Sequence, residues 1–211
     1  MTQPASTVRL LPYGPSAVLA EYDDLDTVLA VAQRVRDLAL AGVVEVVPAM
    51  RTVLVVFDGP VALDSTDRRA VAAALADTSR VPQRPGPLVT VPVVYDGADL
   101  AEVAERTGCT EAEVVALHCS AEYRVAFCGF MPGFAYLLGL PAELHLPRRS
   151  TPRTRVPAGS VAIAADFSAV YPSASPGGWH LLGTTDLVLW DESLPTPAVL
   201  VPGMRVRFEA R

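Results

Sequence analysis

Three stretches decide how this 211-residue chain is read: E-Y-R-V-A-F-C-G-F-M-P-G-F (Glu122–Phe134), P-R-R-S-T-P-R-T-R-V-P-A-G-S (Pro147–Ser160) and Y-P-S-A-S-P-G-G-W-H-L-L-G (Tyr171–Gly183). Glycine, proline, arginine and aromatic residues recur in them at a density that core packing does not require. Glycine serves where φ must be positive or a backbone must come close, and proline where a turn must be pre-set. Around them run short β-rich segments separated by Gly/Pro turns: Val156–Ala164, Ala169–Pro172, His180–Leu182, Leu187–Trp190, Ala198–Val201 and Arg205–Glu209. Many short strands punctuated in this way predict a closed or nearly closed β-barrel.

Working outward, Leu88–Tyr95 alternates like a strand. Two helices follow it, Asp99–Thr107 stopped by Gly108 and Thr110–Cys119 opened by the capping box Thr110…Glu113. The proline-rich connector Val81–Pro87 divides the chain into domains 1–84 and 85–211. In the first domain, strands at Ser16–Glu21, Val43–Val47 and Thr52–Phe57 alternate with helices at Asp26–Ala41, stopped by Gly42, and at Ser65–Asp77, capped by Ser65. This β-α-β-β-α order predicts a small ferredoxin-like α/β sandwich, and nothing in it looks catalytic. The fold class is therefore α+β.

Composition excludes several functions. The chain is 51% hydrophobic and 19% charged, as a folded globular protein is, and no apolar run is long enough for a membrane span. No signal peptide is visible, and the odd count of three cysteines has neither disulfide nor zinc spacing, so a cytoplasmic address is expected. The net charge is −6, and all 17 cations are arginine. A chain without lysine has no P-loop lysine, no Schiff base and no biotinyl carrier residue. The helical hairpin at 99–119 has helix-turn-helix length, but the charges from 96 to 122 (Asp96, Asp99, Glu102, Glu105, Glu111, Glu113 and Glu122 against Arg106) are wrong for phosphates. Nucleic acid is excluded as a partner.

The candidate site residues lie in the arginine and aromatic segments. Arg148, Arg149, Arg153 and Arg155 alternate with prolines and threonines, which reads either as a solvated surface run or as a preorganised anion site. Arg124 precedes an apolar segment and is expected to be partly buried and paired with an acid or a ligand. Phe130, Phe134 and Trp179 suit the rim of an apolar pocket, with Ser160 closing the arginine segment; each of the two aromatic turns also reads as turn plus core. His118 and His180 are candidate proton carriers, His118 reading equally well as a helix-terminal histidine. Cys119 is expected to be buried and inert, and three scattered histidines predict no metal site.

The same words carry a resemblance. A-L-H (Ala116–His118), E-Y-R-V, G-F-M-P-G-F-A-Y-L, P-R-R-S-T-P-R-T-R-V-P-A-G-S-V, Y-P and S-P-G-G-W-H-L-L-G make the chain similar to the family of the 5-oxoprolinase B subunit, also called allophanate hydrolase subunit 1. The family includes a sporulation-kinase inhibitor and half of the urea carboxylase carboxyltransferase domain. The resemblance implies a cyclophilin-like β-barrel after the small domain, a C-type partner that is a homologous barrel protein, and often an A-type partner too. It implies ATP-dependent opening of 5-oxoproline to glutamate, with ATP and a divalent cation held jointly with a partner and nothing bound covalently. On this reading Arg148 and Arg153 hold the carboxylate of the small carboxylate or lactam substrate, or its phosphoryl oxygens, and Arg124 organises the site. Two alternatives also follow: a carboxyltransferase-type subunit of a biotin-dependent urea carboxylase-like or allophanate system, and a histidine-kinase inhibitor. The chain departs from the family at Ala164–Ala169, where a Gly-Gly-Gln-Thr-Gly type segment is common. It departs again at Gly183–Asp186, where G-R-T-P is common; an anion contact is lost there and the local charge reversed.

Overall fold

The computed structural model describes residues 8–60, 66–79 and 86–211. Residues 81–85 of the connector and the expected helix cap Ser65 lie outside them. Contacts divide the chain into two compact units, Met1–Arg84 and Pro85–Arg211.

The first unit runs β1 (Arg9–Pro12), β2 (Ala17–Glu21), α1 (Leu25–Asp37), β3 (Val43–Pro48), β4 (Thr52–Phe57) and α2 (Thr66–Ala76). Its sheet is antiparallel throughout, in the order β1-β2-β4-β3. The order β2-α1-β3-β4-α2 is ferredoxin-like, and β1 fills the edge beside β2 by a simple hairpin. That strand escapes sequence reading because it is short and mostly exposed, so it shows no alternation. Asp24 opens α1 by accepting the Thr27 amide at 2.9 Å. The helix ends before the expected Gly42, because Ala39 itself turns into the left-handed region at φ 47°. Val28, Val31, Ala32 and Val35 then pack on Val53, Val55 and Phe57, with Val71 and Leu75 of α2 completing the core.

The second unit contains β5 (Leu88–Val93), α3 (Leu100–Thr107), α4 (Glu111–Ser120), β6 (Tyr123–Cys128), β7 (Ala135–Leu138), β8 (Arg153–Val156), β9 (Ser160–Ala164), β10 (Phe167–Val170), β11 (Ser175–Gly177), β12 (His180–Thr184) and β13 (Arg205–Ala210). Seven strands form one sheet in the order β12-β9-β10-β7-β6-β13-β5, while β8 and β11 pair as a separate ribbon. The two edges of the sheet meet at one bridge, where Val94 and Thr184 exchange amide hydrogen bonds of 2.9 and 2.8 Å. A nearly closed barrel results. Gly97 and Gly183 lie at this seam, where a side chain on either would run into the facing backbone.

Strand alternation separates two apolar layers. Val161, Ile163, Val125 and Leu182 point into the barrel with Tyr123, Val206 and Phe208, whereas Ala162, Ala164, Ala169 and Leu181 face outward under Phe134, Tyr171 and Trp179. Of the expected strand Val156–Ala164, Ser160–Ala164 forms β9, whereas Val156 is the last residue of β8 in the separate ribbon, the two being divided at Pro157–Gly159. Leu187–Trp190 and Ala198–Val201 contribute only the bridge between Trp190 and Ala198. Ala165 makes the β9–β10 turn at φ 52°, a left-handed conformation that glycine would adopt without strain. Among the described residues no helix is long and apolar enough to cross a membrane.

Candidate functional site

Most of the predicted residues converge on the outer face and adjoining rim of the barrel. The small side chains Ala162, Ala164 and Ala169 make a floor on the sheet. Phe134 stands on it, edge-on to Tyr171 and Trp179 at ring-centroid distances of 5.3 and 5.7 Å. Phe130 adds a further edge contact to Phe134 at 5.4 Å, yet is 62% exposed. Arg148, also exposed, lies over the Trp179 ring with its guanidinium carbon 5.9 Å from the centroid. Burial raises the Tyr171 hydroxyl pKa, opposed by the Trp179 backbone and by the charges of Arg148 and Arg153. A side chain at Gly177 would collide with that hydroxyl. The result is an aromatic shelf with a cation above it, suited to a small, partly apolar anion.

Next to the shelf, Asp99 gathers the charges. It occupies the N-cap position of α3 but makes no side-chain cap bond. Its Oδ1 instead accepts from Arg149 Nη1 at 2.7 Å and Arg153 Nη2 at 2.6 Å, and its Oδ2 accepts the Leu181 amide at 2.8 Å. The side chain is only 2% exposed. Burial raises the carboxyl pKa, but the Arg153 hydrogen bond, the Leu181 amide and both arginine charges outweigh it and hold the group below its ordinary value. Arg149 also donates to Glu102 at 2.6 Å, which lowers the Glu102 pKa, and Arg106 meets Glu102 at 3.4 Å. Among these residues and Arg148, four guanidinium groups face two carboxylates, so the neighbourhood is cationic within an acidic protein.

His180 completes this rim. It is fully buried, and its Nε2 lies 2.9 Å from the Pro147 carbonyl, which only an N–H can satisfy. In the neutral ring Nδ1 is then a bare acceptor, and it has no partner among the described residues. Arg149 Nε and Arg153 Nη1 are buried and unpaired in the same way. Three such atoms, two of them on the arginines that hold Asp99, are unusual, since buried polar groups are nearly always hydrogen-bonded.

Of the remaining candidates, His118 and Arg124 lie apart from this cluster. His118 is wholly buried inside the barrel with Tyr95, Tyr123 and Phe208 around its ring. Ser168 donates to the Ala162 carbonyl at 3.3 Å and so accepts from His118 Nε2 at 2.9 Å, while Tyr95 donates to Nδ1 at 2.7 Å. Desolvation lowers the His118 pKa to about 3. Cys119, expected to be buried, is half-buried and contacts the Tyr95 hydroxyl at 3.2 Å. Arg124 faces outward on β6, between inward Tyr123 and Val125 and in register with Arg205, where Glu122 bridges Arg205 and Arg207. Ser160 is buried at the start of β9 opposite Thr184, on the same strand face as the floor residues Ala162 and Ala164, and its carbonyl accepts the Tyr171 amide at 2.9 Å. Sequence reading missed Asp99, Glu102 and Tyr171 as members of the site. The one available signal for Asp99 was an acidic cap residue ahead of a helix in a chain with unusually clustered arginines. Among the described residues no group of three or more His, Cys, Asp or Glu side chains is placed to hold a metal ion.

Comparison with known proteins identifies the family and the fold. The family described as carboxyltransferase domain, subdomain C and D, matches residues 8–200. The chain is 43% identical over 210 residues, covering 92% of each protein, to the 5-oxoprolinase B subunit of Escherichia coli O157:H7. The solved structure of TTHA0988 superposes with a TM-score of 0.79 at 36% identity, over 92% of this chain but 40% of that longer one. The urea carboxylase of Kluyveromyces lactis shares the fold, with a TM-score of 0.67 at 19% identity over 22% of its length.

Proposed function

This chain belongs to the carboxyltransferase-domain family, in the group of the 5-oxoprolinase B subunits, and we propose that it acts as the B subunit of an ATP-dependent 5-oxoprolinase. The observation that carries the reading is the shelf-and-rim cluster of Arg148, Trp179, Asp99, Arg149, Arg153 and His180, set in a chain so similar to a protein of that name. 5-Oxoproline is a small ring bearing a carboxylate and a lactam. The shelf offers an apolar surface for the ring, and Arg148 a cation for the carboxylate. A lactam resists water because its amide is resonance-stabilised; transfer of a phosphoryl group to the lactam oxygen makes the carbonyl carbon a better electrophile. In the first step the bond from the γ-phosphorus to ADP breaks, so negative charge grows on the departing ADP oxygen. In the second, water adds to the activated carbon, the ring C–N bond breaks with the nitrogen taking a proton, and phosphate leaves with charge growing on its oxygen as the free carboxylate forms. Arg149 and Arg153, aimed by Asp99, are the cations that stabilise this charge. A chain without lysine must meet nucleotide phosphates with arginine and backbone amides, so A-type and C-type partners supply the rest of the ATP and divalent-cation site. His180 is the proton-carrying candidate at this rim.

The test is to purify the chain with its A-type and C-type partners and to measure phosphate release from ATP with and without 5-oxoproline. Release that depends on 5-oxoproline supports the assignment, and release indifferent to it removes the assignment. The family's own description favours one second reading, a carboxyltransferase-type subunit serving a biotin-dependent carboxylase. Carboxyl transfer to or from biotin in the same preparation, without lactam-dependent turnover, would establish that alternative.

A further inference from the structure

The β6–β7 hairpin turns through Gly129-Phe130-Met131-Pro132-Gly133. The Met131 amide reaches back to the Gly129 carbonyl at 2.8 Å, closing a three-residue turn about Phe130, whose φ is 71°. A γ-turn with a positive central φ is rare and strained, and a bulky aromatic residue at positive φ is a genuine outlier. The turn is nonetheless well tied, since the Phe134 amide donates to Met131 O at 3.1 Å and the Gly129 amide to Phe134 O at 3.2 Å. Gly133 beside it has φ 78°, and a side chain there would press on Trp190. Glycine would hold the Phe130 conformation without strain. Phenylalanine does not recover the strain by burial, because its ring is 62% exposed and rests edge-on against Phe134.

Strain of this kind is retained where the surrounding structure serves a site. Contacts run from Phe130 to Phe134 at 5.4 Å, from Phe134 to Trp179 at 5.7 Å, and from Trp179 to Arg148 at 5.9 Å. The exposed ring and the exposed cation therefore belong to one shelf. We infer that Phe130 is a specificity-determining residue, held by its strained turn as the apolar wall that closes on the ring of a small cyclic carboxylate whose charge Arg148 receives. This rests on the proposed 5-oxoprolinase reading and adds which residue recognises the ring.

The experiment compares wild type, Phe130→Gly and Phe130→Ala. In the chain alone, Phe130→Gly relieves the turn and raises the thermal midpoint by about 2–4 °C, whereas Phe130→Ala keeps the positive φ and gives no such rise. In the complex with the A-type and C-type partners, both variants raise the KM for 5-oxoproline by about tenfold, with the KM for ATP and the recovery of the complex unchanged. A lower midpoint for Phe130→Gly would show that the ring serves packing, and loss of partner association at constant KM would assign it to a protein interface. Either result overturns the inference. Wild-type complex with no lactam-dependent turnover removes the functional reading and this assignment together, and the midpoints still report on the strain.

Discussion

His118 and His180 are both fully buried, yet they sit in opposite chemical settings. Around His118 every ring nitrogen is matched: Tyr95 donates to one, Ser168 accepts from the other, and three aromatic rings enclose the imidazole. Around His180 one nitrogen is left over, two neighbouring arginines each have an unpaired N–H, and the charges do not cancel. Burial alone therefore does not tell a histidine with a closed polar network from one with an open one. Completeness of pairing does, because a closed polar network stabilises a core and a partly paired one does so less.

The largest effect that bears on this contrast falls on Asp99. Asp99→Ala leaves Arg149 and Arg153 without the carboxylate that orients them and leaves the Leu181 amide unpaired. Folding stability drops by about 3 kcal/mol, the low end for breaking a buried pair because both arginines are partly solvated. Turnover by the assembled complex falls roughly 100-fold through misplacement of the cations. Urea unfolding and steady-state kinetics measure the two losses separately. A variant with full activity would reduce the arginine cluster to a staple between α3 and the 147–153 segment.

Acid separates the two regions. The folded His118 pKa lies near 3 against an ordinary 6.5, so between those values the unfolded chain binds the extra proton. Stability contributed by this group is complete above about pH 6.5 and declines as the pH falls, with a slope of up to about 1.4 kcal/mol per pH unit. Asp99 and Glu102 behave differently: their pKa values are held below the ordinary 3.8 and 4.5, so their contributions disappear only at lower pH. Urea midpoints measured from pH 7 to pH 4.5 should therefore fall in wild type and stay flatter in His118→Gln. Equal slopes would detach the acid limb from the His118 chamber.

The contrast between these regions also explains what the sequence made legible. Local rules have local signatures, and these emerge closely: Thr52–Phe57 as a buried strand, Gly108 as the left-handed stop of α3, and the Thr110–Glu113 capping box. The dense motifs mark the shelf, with Arg148, Arg153, Phe130, Phe134, Trp179 and His180 gathered there. Asp99 did not emerge, because its role is set by partners 50 and 54 residues away and by a strand amide 82 residues away. For the same reason His118 could not be placed in the barrel interior, since its partners Tyr95 and Ser168 lie on either side of it in sequence. The Val156–Ala164 run concealed a change of sheet, because Val156 ends β8 while Ser160–Ala164 forms β9, and Pro157–Gly159 gives no sign of which sheet each side joins.

Arg148 gives the smallest expected change in stability and the sharpest view of the shelf. Its guanidinium is exposed and lies over Trp179, so Arg148→Ala removes an exposed cation–π contact worth about 0.5–1 kcal/mol and leaves the Asp99 network intact. If the shelf receives a carboxylate, the same change raises the KM for 5-oxoproline by roughly tenfold, about 1.4 kcal/mol of lost charge-assisted hydrogen bonding. Arg148→Lys separates charge from shape: a point cation restores part of the affinity, whereas stacking on Trp179 and forked recognition need the planar group. An alanine variant whose KM rises no more than its stability falls would move the anion site away from the shelf and onto Arg149 and Arg153. The open rim alone would then be the site of chemistry.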